Sequence, residues 1–148
     1  MKKLQKILNR AARIIKGIAP RERITPSLID LHWLPIKARI EFKLCVLAHQ
    51  AITTGCPRYL RTSLRRMQPA DGVITRSVEN GVTLFISGFE SQYGFRAFKH
   101  AAPRLYNSLP VDLRRLERID LFKNSLKTYL FSKSYNMNDR TVNDEYAV

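Results

Sequence analysis

Acidic residues are scarce in this chain of 148 residues: 12 Asp and Glu stand against 26 Lys and Arg, a net charge of +14. The shortage is sharpest at the start. Residues 1–66 hold 3 acids and 15 bases (+12), whereas residues 67–148 hold 9 acids and 11 bases (+2). Metal-dependent polymerase, nuclease and phosphatase chemistry needs clustered carboxylates to hold its cations. The acids here fall singly, so stand-alone catalysis is not expected and no catalytic residue is assigned. Cysteine is also nearly missing, with Cys45 and Cys56 the only two. A reduced intracellular chain, cytoplasmic or nuclear, is the expectation. Cys45 and His49 share a helix face, but Cys-x3-His is not a usual zinc pair and a fourth ligand is missing, so neither metal nor cofactor is expected. His32 and His100 read as helix-start or surface histidines. No apolar run approaches a membrane span, and the basic N-terminus has no apolar signal core. No glycine-rich phosphate cradle occurs.

What the chain does have is one strongly apolar stretch, from Leu31 to Thr54. It opens with Leu-His-Trp-Leu-Pro. Trp33 is the single tryptophan, and Pro35 is placed to start a helix, where its missing N–H costs nothing. Beyond it Ile40, Leu44, Leu47, Ala48 and Ala51 recur at helical spacing, and Phe42, Cys45, Val46 and Ile52 fill much of the remaining circumference. No charge follows Lys43 until Gly55 ends the run. A helix apolar nearly all round is a buried one. It is predicted to be the central helix of a mainly α, single-domain bundle, with Trp33 as its largest anchor and Leu44 on its packed face.

Residues 2–19 predict an amphipathic helix. Leu4, Ile7, Leu8, Ala11, Ile14, Ile15 and Ile18 share one face, while Lys2, Lys3, Lys6, Arg10, Arg13 and Lys16 share the other. Gly17 and Pro20 end it. Thr25-Pro26 marks a short helix to Leu31. Pro57–Leu64 reads as another, with Tyr59, Leu60 and Leu64 inward and Arg58, Arg61, Arg65 and Arg66 outward. Val82–Ile86 is the clearest strand signal, with Val73-Ile74-Thr75 as hairpin partner. Phe95, Phe98, Ala101 and Ala102 begin a further helix that Pro103 is expected to break or kink. Leu105, Tyr106 and Leu109 continue its apolar series, and Pro110 starts a short turn with Leu113 and Leu116. Asp120 opens a last helix through Leu121, Phe122, Leu126, Tyr129 and Leu130. The helical domain is expected over residues 1–133, with a disordered polar tail over 134–148.

Basic residues without balancing acids suggest a polyanionic partner, with nucleic acid ahead of a membrane surface. The candidate phosphate contacts are Lys3, Lys6, Arg10, Arg13 and Lys16 on the first helix and Arg58, Arg61, Arg65 and Arg66 after the central one. Such contacts would take RNA or DNA of any sequence. The rival reading is an interaction domain whose first helix docks its apolar face on another protein.

Three stretches together resemble a known family. They are Asn9-Arg10-Ala11-Ala12-Arg13; Ile24-Thr25-Pro26 through Leu31-His32-Trp33-Leu34-Pro35-Ile36 and Phe42-Lys43-Leu44; and Gly94-Phe95-Arg96-Ala97-Phe98 with Ala102-Pro103-Arg104-Leu105-Tyr106-Asn107-Ser108-Leu109-Pro110. In this order and spacing the chain resembles the C-terminal region of the reverse transcriptase polyprotein of non-LTR, LINE-type retrotransposons of the jockey-like kind. Leu126-Lys127-Thr128-Tyr129-Leu130-Phe131 is similar to the usual end of that protein, so the likeness covers about residues 4–131. The family's acidic polymerase motif and its endonuclease lie upstream, so the resemblance carries over no catalytic residue. It implies a region that follows the thumb and helps grip RNA template or target DNA, beside a polymerase domain as protein partner. Tyr106 departs from the family, which usually has Trp there. A truncated copy, a gene-model fragment, a co-opted remnant and a non-functional relic are all consistent with this resemblance.

Overall fold

A computed structural model describes residues 1–67, 81–86, 88 and 96–135. The fold is mainly α. Among the described residues the helices are α1 (Lys2–Lys16), α2 (Thr25–Asp30), α3 (Ile36–Thr53), α4 (Arg58–Ser63), α5 (Phe98–Asn107), α6 (Val111–Arg114) and α7 (Ile119–Ser134). None of them is long and apolar enough to cross a membrane. The chain divides into two compact units, one of Met1–Ile40 with Lys127–Val148, the other of Glu41–Leu126.

In the first unit α1 packs on α2. Leu8, Ala12, Ile24, Leu28 and Tyr135 form its buried core, with Ile18, Trp33 and Phe131 against them. Tyr135 corrects the start of the expected tail: it is buried, and its hydroxyl donates to the Trp33 carbonyl. Residues 136–148 lie outside the described residues. Gln5 of α1 accepts the Ile36 N–H at 2.9 Å and so caps the first turn of α3. An amide side chain thus satisfies a donor that a helix start leaves open. Pro35 is fully buried just before that turn. Trp33 is only half-buried, with the Arg39 guanidinium 5.8 Å from its ring. His32 is exposed, takes φ +52°, and stacks on Phe131 at 5.6 Å.

The burial of α1 differs from its sequence pattern. Only the Leu8–Ala12 edge is covered, together with Asn9. Leu4, Ile7, Ile14 and Ile15 are exposed, Ile14 to 82% and Ile7 to 64%. The apolar arc is wider than the surface that its own unit offers it. Gly17 ends the helix as expected, at φ +64°, a conformation that costs glycine little.

In the second unit every residue of α3 from Leu44 to Ile52 is buried or half-buried, even Gln50, as an all-round apolar helix requires. Gly55 at φ +74° follows its end. Phe122 and Leu126 of α7 are fully buried one turn apart. Helix α5 continues through Pro103, so of the expected break or kink the break does not occur. The missing N–H forfeits one bond to the Lys99 carbonyl. The ring is completely buried, and that apolar burial offsets the loss.

The expected hairpin is not formed among the described residues, and its proposed half at residues 73–75 lies outside them. Residues 82–86 meet Arg65–Met67 through a single antiparallel bridge, Arg66 to Leu84. Met67 N–H donates to the Thr83 carbonyl at 2.9 Å, and Phe85 N–H to the Arg65 carbonyl at 2.7 Å. On the other edge Asn107 replaces a neighbouring strand. Its Oδ1 accepts the Leu84 N–H at 2.9 Å, and its Nδ2 donates to the Leu84 carbonyl at 2.8 Å. Leu84 is thereby anchored with its side chain fully buried.

Candidate nucleic-acid interface

In the first unit the bases of α1 follow from its periodicity. At about 100° per residue, Lys2, Lys3, Lys6, Arg10, Arg13 and Lys16 occupy one arc of the helix. Lys6, Arg10 and Arg13 line a groove of about 770 Å³ between α1 and the turn after Gly17, with Glu22 its one acid. Arg13 is half-buried and donates from Nη2 to the Glu22 carbonyl at 2.9 Å; no described group pairs its buried Nε. It therefore ties the turn to the helix as well as charging the groove. Lys16 is drawn off to Asp30 at 3.3 Å, a mostly exposed pair, worth at most about 1 kcal/mol. Lys3, Lys6 and Arg10 are exposed. Of the five candidates on α1, three thus face one groove, Lys3 lies free on the surface beside them, and Lys16 is diverted.

In the second unit Arg61, Arg65 and Arg66 line a groove of about 510 Å³ with Ile52 at its wall. Arg66 is held there by a bond from Nη2 to the Ile52 carbonyl at 2.8 Å. Gly55 leaves room for Arg61: a Cβ at position 55 would stand 2.8 Å from Arg61 Nη1. Arg58 is exposed at the start of α4. Tyr59, predicted to face inward, is 70% exposed among these arginines. A six-residue helix has room to bury one edge only, and half-buried Leu60 takes it.

Two groups escaped the sequence. Arg114 and Arg115 line a cavity of about 580 Å³ with Arg66 and His49. Arg114 donates from Nη1 to the Val82 carbonyl at 3.3 Å and to Thr83 Oγ1 at 3.0 Å. The Arg-Arg doublet is visible in the sequence, but Asp112 and Glu117 beside it mask its charge. His49 stacks on Phe122 with ring centroids 3.9 Å apart and 6° between the planes. Its Nε2 faces the Glu117 carbonyl at 3.4 Å and its Nδ1 the Tyr106 hydroxyl at 3.3 Å. A carbonyl only accepts, so Nε2 carries the hydrogen and Tyr106 donates to Nδ1. Burial lowers the His49 pKa, opposed by the Glu117 carbonyl, and keeps the ring neutral. Burial also pushes the Tyr106 hydroxyl up to about 12. His100, expected at a helix start or on the surface, lies in the first turn of α5 and is buried. The pair reads as a buried polar linkage of the core. Leu44, by contrast, is only half-buried.

Among the described residues no three His, Cys, Asp or Glu side chains gather as metal ligands would. Cys45 is buried in α3 and Cys56 is exposed beyond it. What the arrangement offers chemically is fixed positive charge along two grooves, with an exposed aromatic ring on α4. No known protein family, no curated protein and no solved structure matches the chain.

Proposed function

We propose that this chain is a non-catalytic nucleic-acid-binding module that grips RNA or DNA through phosphates, without regard to base sequence. The observation that carries the reading is the groove of the first unit, lined by Lys6, Arg10 and Arg13. A row of bases on one helix edge neutralises successive phosphates and releases their counterions. The second groove, with Arg61, Arg65 and Arg66, adds to the positive field, and exposed Tyr59 offers a ring on which an unpaired base stacks. The resemblance to the C-terminal region of a retrotransposon reverse transcriptase agrees with this role, inside the cell and off the membrane. On this reading the chain itself neither polymerises nor cleaves. Primer–template, nucleotides and Mg²⁺ should give no extension that depends on its residues.

Changing Lys6 and Arg10 to Gln tests the groove and spares Arg13, which holds the turn. Each lost phosphate contact should lower the slope of log K against log salt by about 0.7 on single strands, so the double variant should lose about 1.4. Gln is a good helix former, so α1 should persist. Affinity should fall alike for oligonucleotides of any sequence. An unchanged salt slope removes α1 as the contact, and salt-insensitive binding by the parent chain removes the nucleic-acid reading itself.

A further inference from the structure

Helix α1 has three faces, not two. At about 100° per residue, Gln5, Leu8, Asn9 and Ala12 form the arc turned into the first unit, buried or half-buried. The bases form the second arc. Leu4, Ile7, Ala11 and Ile14 form the third, with Ile15 at its margin, and of these only Ala11 is even half-buried. Their spacing is three, four, three, the a/d register that inserts side chains into the holes of another helix. Lys3 and Arg10 border this stripe on its free side, one heptad apart, both exposed. On the opposite side the stripe meets Leu8 and Ala12, which the unit already covers.

We propose that the Leu4–Ile7–Ala11–Ile14 stripe docks an amphipathic α-helix of a protein partner that carries acidic residues one heptad apart along the flank facing Lys3 and Arg10. The stripe supplies the apolar contact and the two bases supply register and choice of partner. Charge decides the occupant. Helix α1 has six bases and no acid, so a second copy of this chain would bring like charge against like. An interfacial membrane helix is rich in Trp, Phe and Leu on its apolar face. This stripe has no aromatic residue, and the arc beside it is occupied by the helix's own unit. The proposed surface borders the phosphate groove and shares Arg10 and Ile14 with it, while Leu4 and Ile7 lie outside that groove.

The test uses a labelled four-heptad peptide with Leu at its apolar positions and Glu along its flanks, titrated onto the whole chain by fluorescence anisotropy. Two control peptides carry Lys in place of the flanking Glu, or Ser in place of Leu. The Glu-flanked Leu peptide should bind and both controls should bind at least about tenfold more weakly. Leu4→Ser with Ile7→Ser should weaken binding by about tenfold or more while oligonucleotide binding stays at the parent's level. Lys3→Glu with Arg10→Glu should reverse the preference, so that the Lys-flanked peptide binds best. Equal binding of the Ser peptide would reduce the contact to charge alone and overturn the proposal, as would a charge swap without reversal. A parent chain that sediments as a dimer, lost in the Leu4→Ser and Ile7→Ser variant, would assign the stripe to a second copy. Binding to phosphatidylserine vesicles, lost in that same variant and without peptide binding, would assign it to a membrane.

Discussion

Lowering the pH should destabilise this protein through His49. The ring is 1% exposed, stacked flat on Phe122, and its pKa is lowered from 6.5 by burial. In the unfolded chain the same ring takes a proton once the pH drops below 6.5. The unfolded state then binds more protons than the folded one, so stability rises with pH across this window and is lost on acidification. For one site whose folded form takes no proton, the loss has a ceiling of about 1.4 kcal/mol at about pH 5.5 and of about 2 kcal/mol at about pH 5.0. A loss of that size moves the thermal midpoint by several degrees in a domain of this size. Urea unfolding followed by hydrogen exchange of the α3 amides around His49, repeated between about pH 7.5 and pH 5.0, reads the slope in the unit that holds the ring. In His49→Phe the slope should flatten, whatever the variant's absolute stability, because the titrating group is gone. Equal slopes for parent and variant would refute the assignment of His49 as a buried neutral ring.

The alkaline limb should belong to Tyr106. With its hydroxyl pushed up to about 12 from 10.0, the unfolded chain ionises first and stability falls above about pH 10, by roughly 2–3 kcal/mol in all; Tyr106→Phe should remove that fall. Phe122→Ala should cost about 3–5 kcal/mol by denaturant titration, and half-buried Trp33→Ala clearly less; the reverse order would restore Trp33 as the principal anchor. Asn107→Ala removes both bonds to Leu84 and should cost about 2–3 kcal/mol, with early protease cleavage near residues 82–86 as the structural readout. Gly55→Ala should cost more than Gly17→Ala. Both glycines have positive φ, which costs a side chain about 1–2 kcal/mol, but only the Cβ at 55 also displaces Arg61.

The elements with strong periodicity were legible. An unbroken apolar circumference, opened by a proline and closed by a glycine, has one favourable solution, and α3 adopts it. The start of α1 followed equally from its pattern, while its end falls at Lys16, three residues short of the expected 19, because Gly17 stops it. Its orientation did not, because periodicity gives the phase of an apolar arc but not which part a neighbour covers. That is why Leu8 and Ala12 are buried while Ile7 and Ile14 are bare. Tyr59 failed for a related reason: a short helix has too few turns to fix an inward face. Pro103 does not end its helix, because the rule against proline inside helices yields where the ring itself is deeply buried. The His49–Tyr106 contact joins residues 57 apart in sequence, and no local signal encodes such a pairing. The strand signal at 82–86 yields a single bridge rather than a strand, held by Arg65–Met67 on one edge and a side-chain amide on the other. The candidate bases were visible from charge alone. Their sorting into groove-lining and diverted required Asp30 and Glu22, two of the few acids in that half of the chain.

The amide of Asn107 also bears on solubility. A lone extended segment with β-branched and aromatic residues is a template on which a second chain can add its own strand. At Leu84 that edge is closed from both sides. Arg65 and Met67 take the groups pointing one way, and Asn107 takes the N–H and the carbonyl pointing the other. Arg114 occupies the Val82 carbonyl next along. A passing strand finds no run of open donors and acceptors there. One asparagine and one arginine thus protect against cross-chain β-pairing in a segment where Phe85 and Ile86 lie exposed.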